Sequence, residues 1–143
     1  MAFEKNISAG YLANHMARLF AKGLQERITP LGIVTGQFPM LLELWEQDGI
    51  SQRELLSKLD VEQATLANTL TRMERDGLIK RTKHPSDARA QQIWLTDKAR
   101  AVREQSYAAA SAQNAEAMSA LSSTEQTQFI DFMHRVIGAM RQR

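Results

Sequence analysis

The stretch LDVEQATLANTLTRMERDGLIKRTKHPSDARAQQIWL, residues 59–95, decides how the rest of the chain is read. It divides into a helix, a stop at Gly77, a strand, a charged turn and a second strand. At 100° per residue, Leu66, Leu70 and Met73 fall on one arc of a helix expected over about 62–76, the pattern of a buried stripe. The opposite arc carries Ala64, Asn68, Thr71, Arg72 and Arg75, with Gln63 and Thr65 at its margins. These are small or hydrogen-bonding side chains leading into a basic end. Gly77 ends the helix with the positive φ that glycine adopts at little cost. Residues 78–84 and 90–95 then read as strands, with Ile79, Ile93 and Leu95 inward. Pro85-Ser86-Asp87-Ala88 supplies the turn chemistry between them. Lys80, Arg81, Lys83, His84 and Arg89 lie on or near this hairpin. Neighbouring strand residues point to opposite faces, so the cations divide: some are expected at phosphates, with Arg81 pairing internally.

Working outward, Ser51 with Glu54 three residues later reads as a capping box opening a short helix that buries Leu55, Leu56 and Leu59 and stops at Leu59-Asp60. Two short helices joined by a tight turn, the second with a polar outer face, form a helix-turn-helix pattern, and the hairpin after it reads as a wing. Upstream, a helix over about 35–47 carries Phe38, Leu41, Leu42, Leu44 and Trp45, with Pro39 near its start and Asp48-Gly49 as its stop. A first helix over about 7–28 places Ile7, Tyr11, Leu12, Leu19, Phe20 and Leu24 at helical spacing, and Pro30 with Gly32 closes it. Its apolar coverage is broad enough to call for cover by another element or another chain. Downstream, Thr96 caps a fifth helix near Ala99, expected to run unbroken through the alanine-rich stretch to about Leu121. A new start at 122–126 opens a sixth helix to about Met140, striped by Phe129, Met133, Ile137 and Met140 and widened by Ile130, Phe132 and Val136.

The totals suit this reading. The chain has 143 residues, 43% of them hydrophobic and 24% charged, enough for one moderate core and far from the composition of disorder. With no cysteine there is no disulfide framework. Residues 1–10 lack a signal peptide's basic start and apolar run, and no uncharged run spans a bilayer, so a cytoplasmic protein without membrane contact is expected. The net charge of +2 hides an asymmetry: residues 72–103 hold nine Lys and Arg against four Asp and Glu, or +5, which leaves −3 for the remainder. A basic segment on a mildly acidic protein points to a polyanion. No glycine-rich phosphate loop, metal-ligand spacing or nucleophile-base set is present, so an enzyme is not expected. His15, His84 and His134 lack the short spacing of a shared site, so no metal is expected either.

The order of elements and several motifs resemble the MarR family of bacterial transcriptional regulators. The residues carrying the likeness are Glu74-Arg75-Asp76-Gly77-Leu78-Ile79 with Arg81, then Asp87-Ala88-Arg89, then Leu95-Thr96, supported by Gln37-Phe38 and Ser51-Gln52-x-Glu54-Leu55. The resemblance implies a mainly α fold with a small β-hairpin wing: a winged helix-turn-helix with N- and C-terminal dimerisation helices. It divides one compact domain into a dimerising segment 1–33, a DNA-binding lobe 34–95 and dimerising helices 96–143. It also implies a homodimeric regulator, in the usual case a ligand-responsive repressor on a pseudo-palindromic operator in double-stranded DNA. The candidate DNA-binding residues are Gln63, Ala64, Thr65, Asn68, Thr71, Arg72, Arg75, Lys83, His84, Asp87 and Arg89. Of these, Asn68 suits an adenine edge, Arg72 a guanine or phosphate, and Arg89 the minor groove, with Asp87 steadying the wing. The family's habit of binding small aromatic or phenolic compounds implies an effector cleft, for which Tyr11, His15, Arg18, Phe38 and Trp45 are candidates; no cofactor is implied. Glu62, Ala64 and Ala99 depart from the family's usual Asp, Ser or Pro, and Gly. The competing reading is a winged-helix protein–protein interaction module docking an acidic partner.

Overall fold

The computed structural model describes residues 2–87 and 89–142. Seven α-helices and one hairpin follow in the order α1 (Ala9–Ile28), α2 (Phe38–Glu46), α3 (Gln52–Leu59), α4 (Gln63–Arg75), β1 (Ile79–Lys83), β2 (Gln91–Leu95), α5 (Asp97–Ala101), α6 (Arg103–Met118) and α7 (Ser123–Arg141). Short 3₁₀ turns at Lys5–Ile7, Thr29–Leu31 and Thr35–Gln37 flank the first two helices.

Local chemistry explains most boundaries. Ser8, Ser51, Thr96 and Ser122 each accept a hydrogen bond from the backbone N–H three residues on, satisfying one of the orphan donors of a helix start. At Ser122 the box is complete, since the Glu125 carboxylate accepts in return from the Ser122 N–H at 2.8 Å. At Ser51 only the hydroxyl arm is made, to the Glu54 N–H at 3.1 Å. Glu62 stands at the N-cap of α4 with no side-chain cap bond, as its extra methylene leads one to expect. Gly77 takes φ 75°, and the Leu78 N–H donates to the Met73 carbonyl at 2.9 Å to close α4.

The core is drawn from the part of the chain between Ile28 and Ala99. Leu41, Leu44, Leu55, Leu66, Leu70, Met73, Leu78, Ile79 and Ile93 are fully buried, with Phe38 and Trp45 almost so. The buried arc of α4 is the expected Leu66, Leu70 and Met73, joined by Thr69, whose hydroxyl is satisfied by the Thr65 carbonyl at 2.8 Å. β1 and β2 pair antiparallel with Arg81 opposite Ile93, and Ser51 adds a single bridge to Gln92 at the sheet's other edge. Beneath it, Trp94 lies where a Cβ on Gly49 would stand, 2.5 Å from the indole, and Gly49 has φ 75°.

One expectation fails. The alanine-rich helix is not continuous: it breaks at Val102 into α5 and α6. The buried Trp45 indole N–H donates to the Ala99 carbonyl at 3.1 Å. That carbonyl is the one an unbroken helix would offer to Arg103, so a long-range bond competes with the local ladder. The terminal helices differ from the core in kind. α7 has no buried residue, and Leu19, Ile130, Phe132, Val136, Ile137 and Met140 are all exposed. Within the chain α1 packs mainly on α6, where Gln113 lies against Gly23 and Arg27 reaches Glu116 at 2.6 Å.

Candidate nucleic-acid interface

α4 presents Gln63, Ala64, Thr65, Asn68, Thr71, Arg72 and Arg75 to the exterior, all exposed. Two of them are partly committed within the chain. Thr71 turns its hydroxyl back to the Ala67 carbonyl at 3.0 Å, and Arg75 pairs with Asp76 at 3.1 Å. The lower end of α4 is held at Asp76, whose carboxylate accepts from the buried Gln37 amide at 2.9 Å. That bond, then the bond and charge of Arg75, hold the Asp76 carboxyl below its ordinary value against a small opposing desolvation. Lys98 donates to the Asp76 carbonyl at 2.8 Å, and the Thr96 hydroxyl donates to the Gly77 carbonyl at 2.6 Å. The stop of α4 is thus tied to α5 and to the turn before α2.

The wing is fixed to α4 by its one inward-leaning cation. Arg81 Nη2 donates to Glu74 Oε1 at 3.0 Å, and this bond is the main reason the Glu74 carboxyl sits below its ordinary value. Arg81 therefore pairs internally, as expected, and Lys80 and Lys83 are exposed. The wing's base is held by Asp48, which accepts from the Leu95 N–H at 2.8 Å and from Arg100 Nη2 at 2.7 Å. Trp94 Nε1 donates across the hairpin to Thr82 Oγ1 at 2.9 Å.

At the tip, Ala88 of the Asp87-Ala88-Arg89 motif lies outside the described residues. Asp87 Oδ1 accepts from the Arg89 backbone N–H at 3.0 Å, and His84 Nδ1 faces the Ser86 N–H at 3.1 Å. Among the described residues Asp87 makes no ion pair with the Arg89 guanidinium, so it shapes the turn and leaves that side chain exposed.

Between wing and helices runs an open groove of about 550 Å³ lined by Gln52, Arg53, Leu56, Gln63, Leu66, Lys83, Arg89, Ala90 and Gln91. Arginine, lysine and glutamine supply its polar groups, with no carboxylate in the lining. Gln63, Lys83 and Arg89 belong to the candidate set read from sequence; Gln52, Arg53 and Gln91 do not. A signal for Arg53 was present, since it follows the Ser51 cap in the first turn of α3, on the side that the turn between helices brings next to α4.

The five effector candidates do not come together within one chain. Tyr11, His15 and Arg18 are exposed on α1, with the Tyr11 and His15 rings 6.3 Å apart. Phe38 and Trp45 are core residues in edge contact at 5.9 Å, and Trp45 meets Tyr107 at 5.6 Å. Phe38 does border a small apolar cleft of about 180 Å³ with Phe20, Ala21, Leu24, Thr35, Pro39, Ala110, Gln113 and Asn114. Trp45 borders a different one, with Asp48, Arg100 and Arg103. Tyr11, His15 and Arg18 stay outside because no second layer of this chain covers that side of α1, where Leu12 and Leu19 are exposed as well. Among the described residues no group of three or more His, Cys, Asp and Glu is placed to hold a metal ion.

A helix-turn-helix with a paired wing, a polar outer helix face and a cationic groove between them defines a winged-helix protein. The model of the MarR family matches residues 35–90 of this chain. The chain is 32% identical over 87 residues to the HTH-type transcriptional regulator TtmR of Methylorubrum extorquens, a match covering 61% of this chain and 45% of that relative. The chain thus spans about half the length of the relative it matches. Its fold is that of a MarR transcriptional regulator from Methanosarcina mazei, with TM-score 0.86 and 22% identity over 93% of this chain and 96% of that one. It also aligns with AbfR, solved in its reduced form bound to DNA, at 28% identity and TM-score 0.72 over 91% of this chain and 88% of that one.

Proposed function

We propose that this chain is a sequence-specific double-stranded DNA-binding transcriptional regulator working as a homodimer. The observation that carries the reading is the carboxylate-free groove between α3, α4 and the wing, continuous with the exposed polar face of α4. A phosphate backbone fits such a groove, with Arg53 and Lys83 as charge partners and the glutamines as donors. α4 then enters the major groove, where Asn68 and Arg72 meet base edges and Gln63, Thr65 and Ala64 follow the rim. Arg89 extends from the wing tip to the adjacent minor groove, and His84 and Asp87 shape that tip. Thr71 and Arg75 serve the helix as well as the DNA, since both are already bonded within the chain.

One α4 offers few base contacts, so selectivity requires two. The exposed apolar side chains of α1 and α7 supply the surface for a second copy, and a two-fold dimer reads a pseudo-palindrome with half-sites about one turn, roughly 10 bp, apart. Repression follows when such a site overlaps a promoter. An effector of small aromatic type would enter the apolar cleft at Phe38, between α1, α2 and α6, where the dimerising helices meet the reader lobe. It acts only through a difference in affinity between two dimer geometries.

The test is selection of bound duplexes from a random pool, followed by titration of the selected site. Steeply salt-dependent, sequence-selective binding is expected. Combined Asn68→Ala and Arg89→Ala substitution should abolish selectivity while sedimentation still reports a dimer. Equal affinity for random and selected duplexes would refute the reading.

A further inference from the structure

α7 carries no buried residue and its apolar sides face outward, yet its last turn returns to the chain's own reader lobe. Arg141 Nε lies 2.8 Å from Asp60 Oδ2, and Arg141 Nη2 donates to the Ser57 carbonyl at 2.9 Å. Among the described residues these are the polar links between α7 and the lobe. Both acceptors sit at one point in the mechanism. Ser57 belongs to the last turn of α3, where carbonyls lack helical partners and carry the negative end of the helix dipole. Asp60 is the hinge residue between α3 and α4, and the one non-glycine of the described residues with a left-handed φ, 53°. A planar guanidinium reaching two oxygens at once holds direction as well as distance, which an ammonium would not.

We infer that Arg141 is a positioning residue for DNA binding: it straps the end of the dimerising helix α7 to the turn from which the recognition helix α4 departs. The inference rests on the proposed function. In it, α7 is fixed by the partner copy, Arg141 carries that position to Asp60, and the angle of each α4 to the dimer axis follows. Both side chains are about half exposed. The pair is therefore too weak to hold the fold and suited to biasing an orientation, an effect of about fivefold in operator affinity.

The experiment compares wild type, Arg141→Ala, Arg141→Lys, Asp60→Asn and the double variant Arg141→Ala with Asp60→Asn. Asparagine tolerates the left-handed backbone, so that variant removes the charge and keeps the turn. Two readouts are taken: hydrogen exchange at 57–62 in the free protein, and affinity for the selected duplex across a salt series. Faster exchange at 57–62 is expected in Arg141→Ala and Asp60→Asn, with each losing about fivefold in affinity and the double variant losing no more than either. Arg141→Lys should fall between. A loss on Asp60→Asn is diagnostic, because removing a carboxylate would by electrostatics alone strengthen binding to a polyanion. Unchanged exchange and affinity would overturn the inference, as would losses that multiply. A salt slope shallower by about one in Arg141→Ala would also overturn it, since Arg141 would then be a phosphate contact. If wild type selects no sequence, the proposed function fails by itself, and the exchange data still decide whether the strap exists.

Discussion

Gly49 shows how a single residue holds the wing's base. Its φ of 75° and the Trp94 indole 2.5 Å from where a Cβ would stand leave no room for a side chain, and that indole is itself anchored through its N–H to Thr82. Gly49→Ala should therefore destabilise the fold by about 2–4 kcal/mol, combining backbone strain with overpacking, as read by urea unfolding. Ser106 points the other way. Its hydroxyl is fully buried and has no hydrogen-bond partner among the described residues. Ser106→Ala removes that unsatisfied group and should stabilise by about 1 kcal/mol, raising the thermal midpoint by a few degrees. Neither role was legible in the sequence. Asp48-Gly49 reads as a turn, but nothing local says that an indole from a strand 45 positions away lies across it. The caps at Ser51, Thr96 and Ser122 were legible because their partners lie three residues off.

Between elements, the wing is attached to α4 through the ion pair of Arg81 with Glu74. Glu74 and Asp76 both have carboxyls held below their ordinary values, by Arg81 and by Gln37 with Arg75. Groups depressed in the folded state contribute stability at neutral pH that is lost as pH falls through the ordinary carboxylate range and below. The thermal midpoint should thus fall between about pH 5 and pH 3, and Asp76→Asn should flatten that slope. Partial exposure keeps the effect modest. Arg81→Met should cost under about 1 kcal/mol of stability but speed hydrogen exchange in the hairpin and weaken operator binding, because the wing loses its bearing on α4. Periodicity made the α4 stripe and the inward Ile79, Ile93 and Leu95 legible, and strand alternation divided the hairpin cations without telling Arg81 from Lys83. The break at Val102 was not, since no Pro or Gly marks it; its cause is a tryptophan 54 residues upstream taking the Ala99 carbonyl.

At the scale of the molecule, α1 and α7 leave open an apolar surface that includes Leu12, Leu19, Ile130, Phe132, Val136 and Ile137. Phe132→Glu with Ile137→Glu should convert the proposed dimer to a monomer in sedimentation and abolish operator binding, while hairpin exchange in the lobe stays slow. The sequence told which helices carry surplus apolar surface, since that is a matter of composition and period. It could not place Tyr11, His15 and Arg18 with Phe38 and Trp45, because a pocket depends on which layers cover which, and in one chain α1 is covered on too little of its surface.

The bare flanks of α7 have a consequence for how the protein behaves on dilution. In the proposed dimer, α7, which has no side chain fully buried in its own chain, would take much of its order from the second copy. Its melting should depend on how many copies are present, the midpoint rising with concentration by mass action. Scarce copies would then have frayed ends open to proteases while paired ones persist, and the amount of regulator in a cell would be set in part by its own encounter rate.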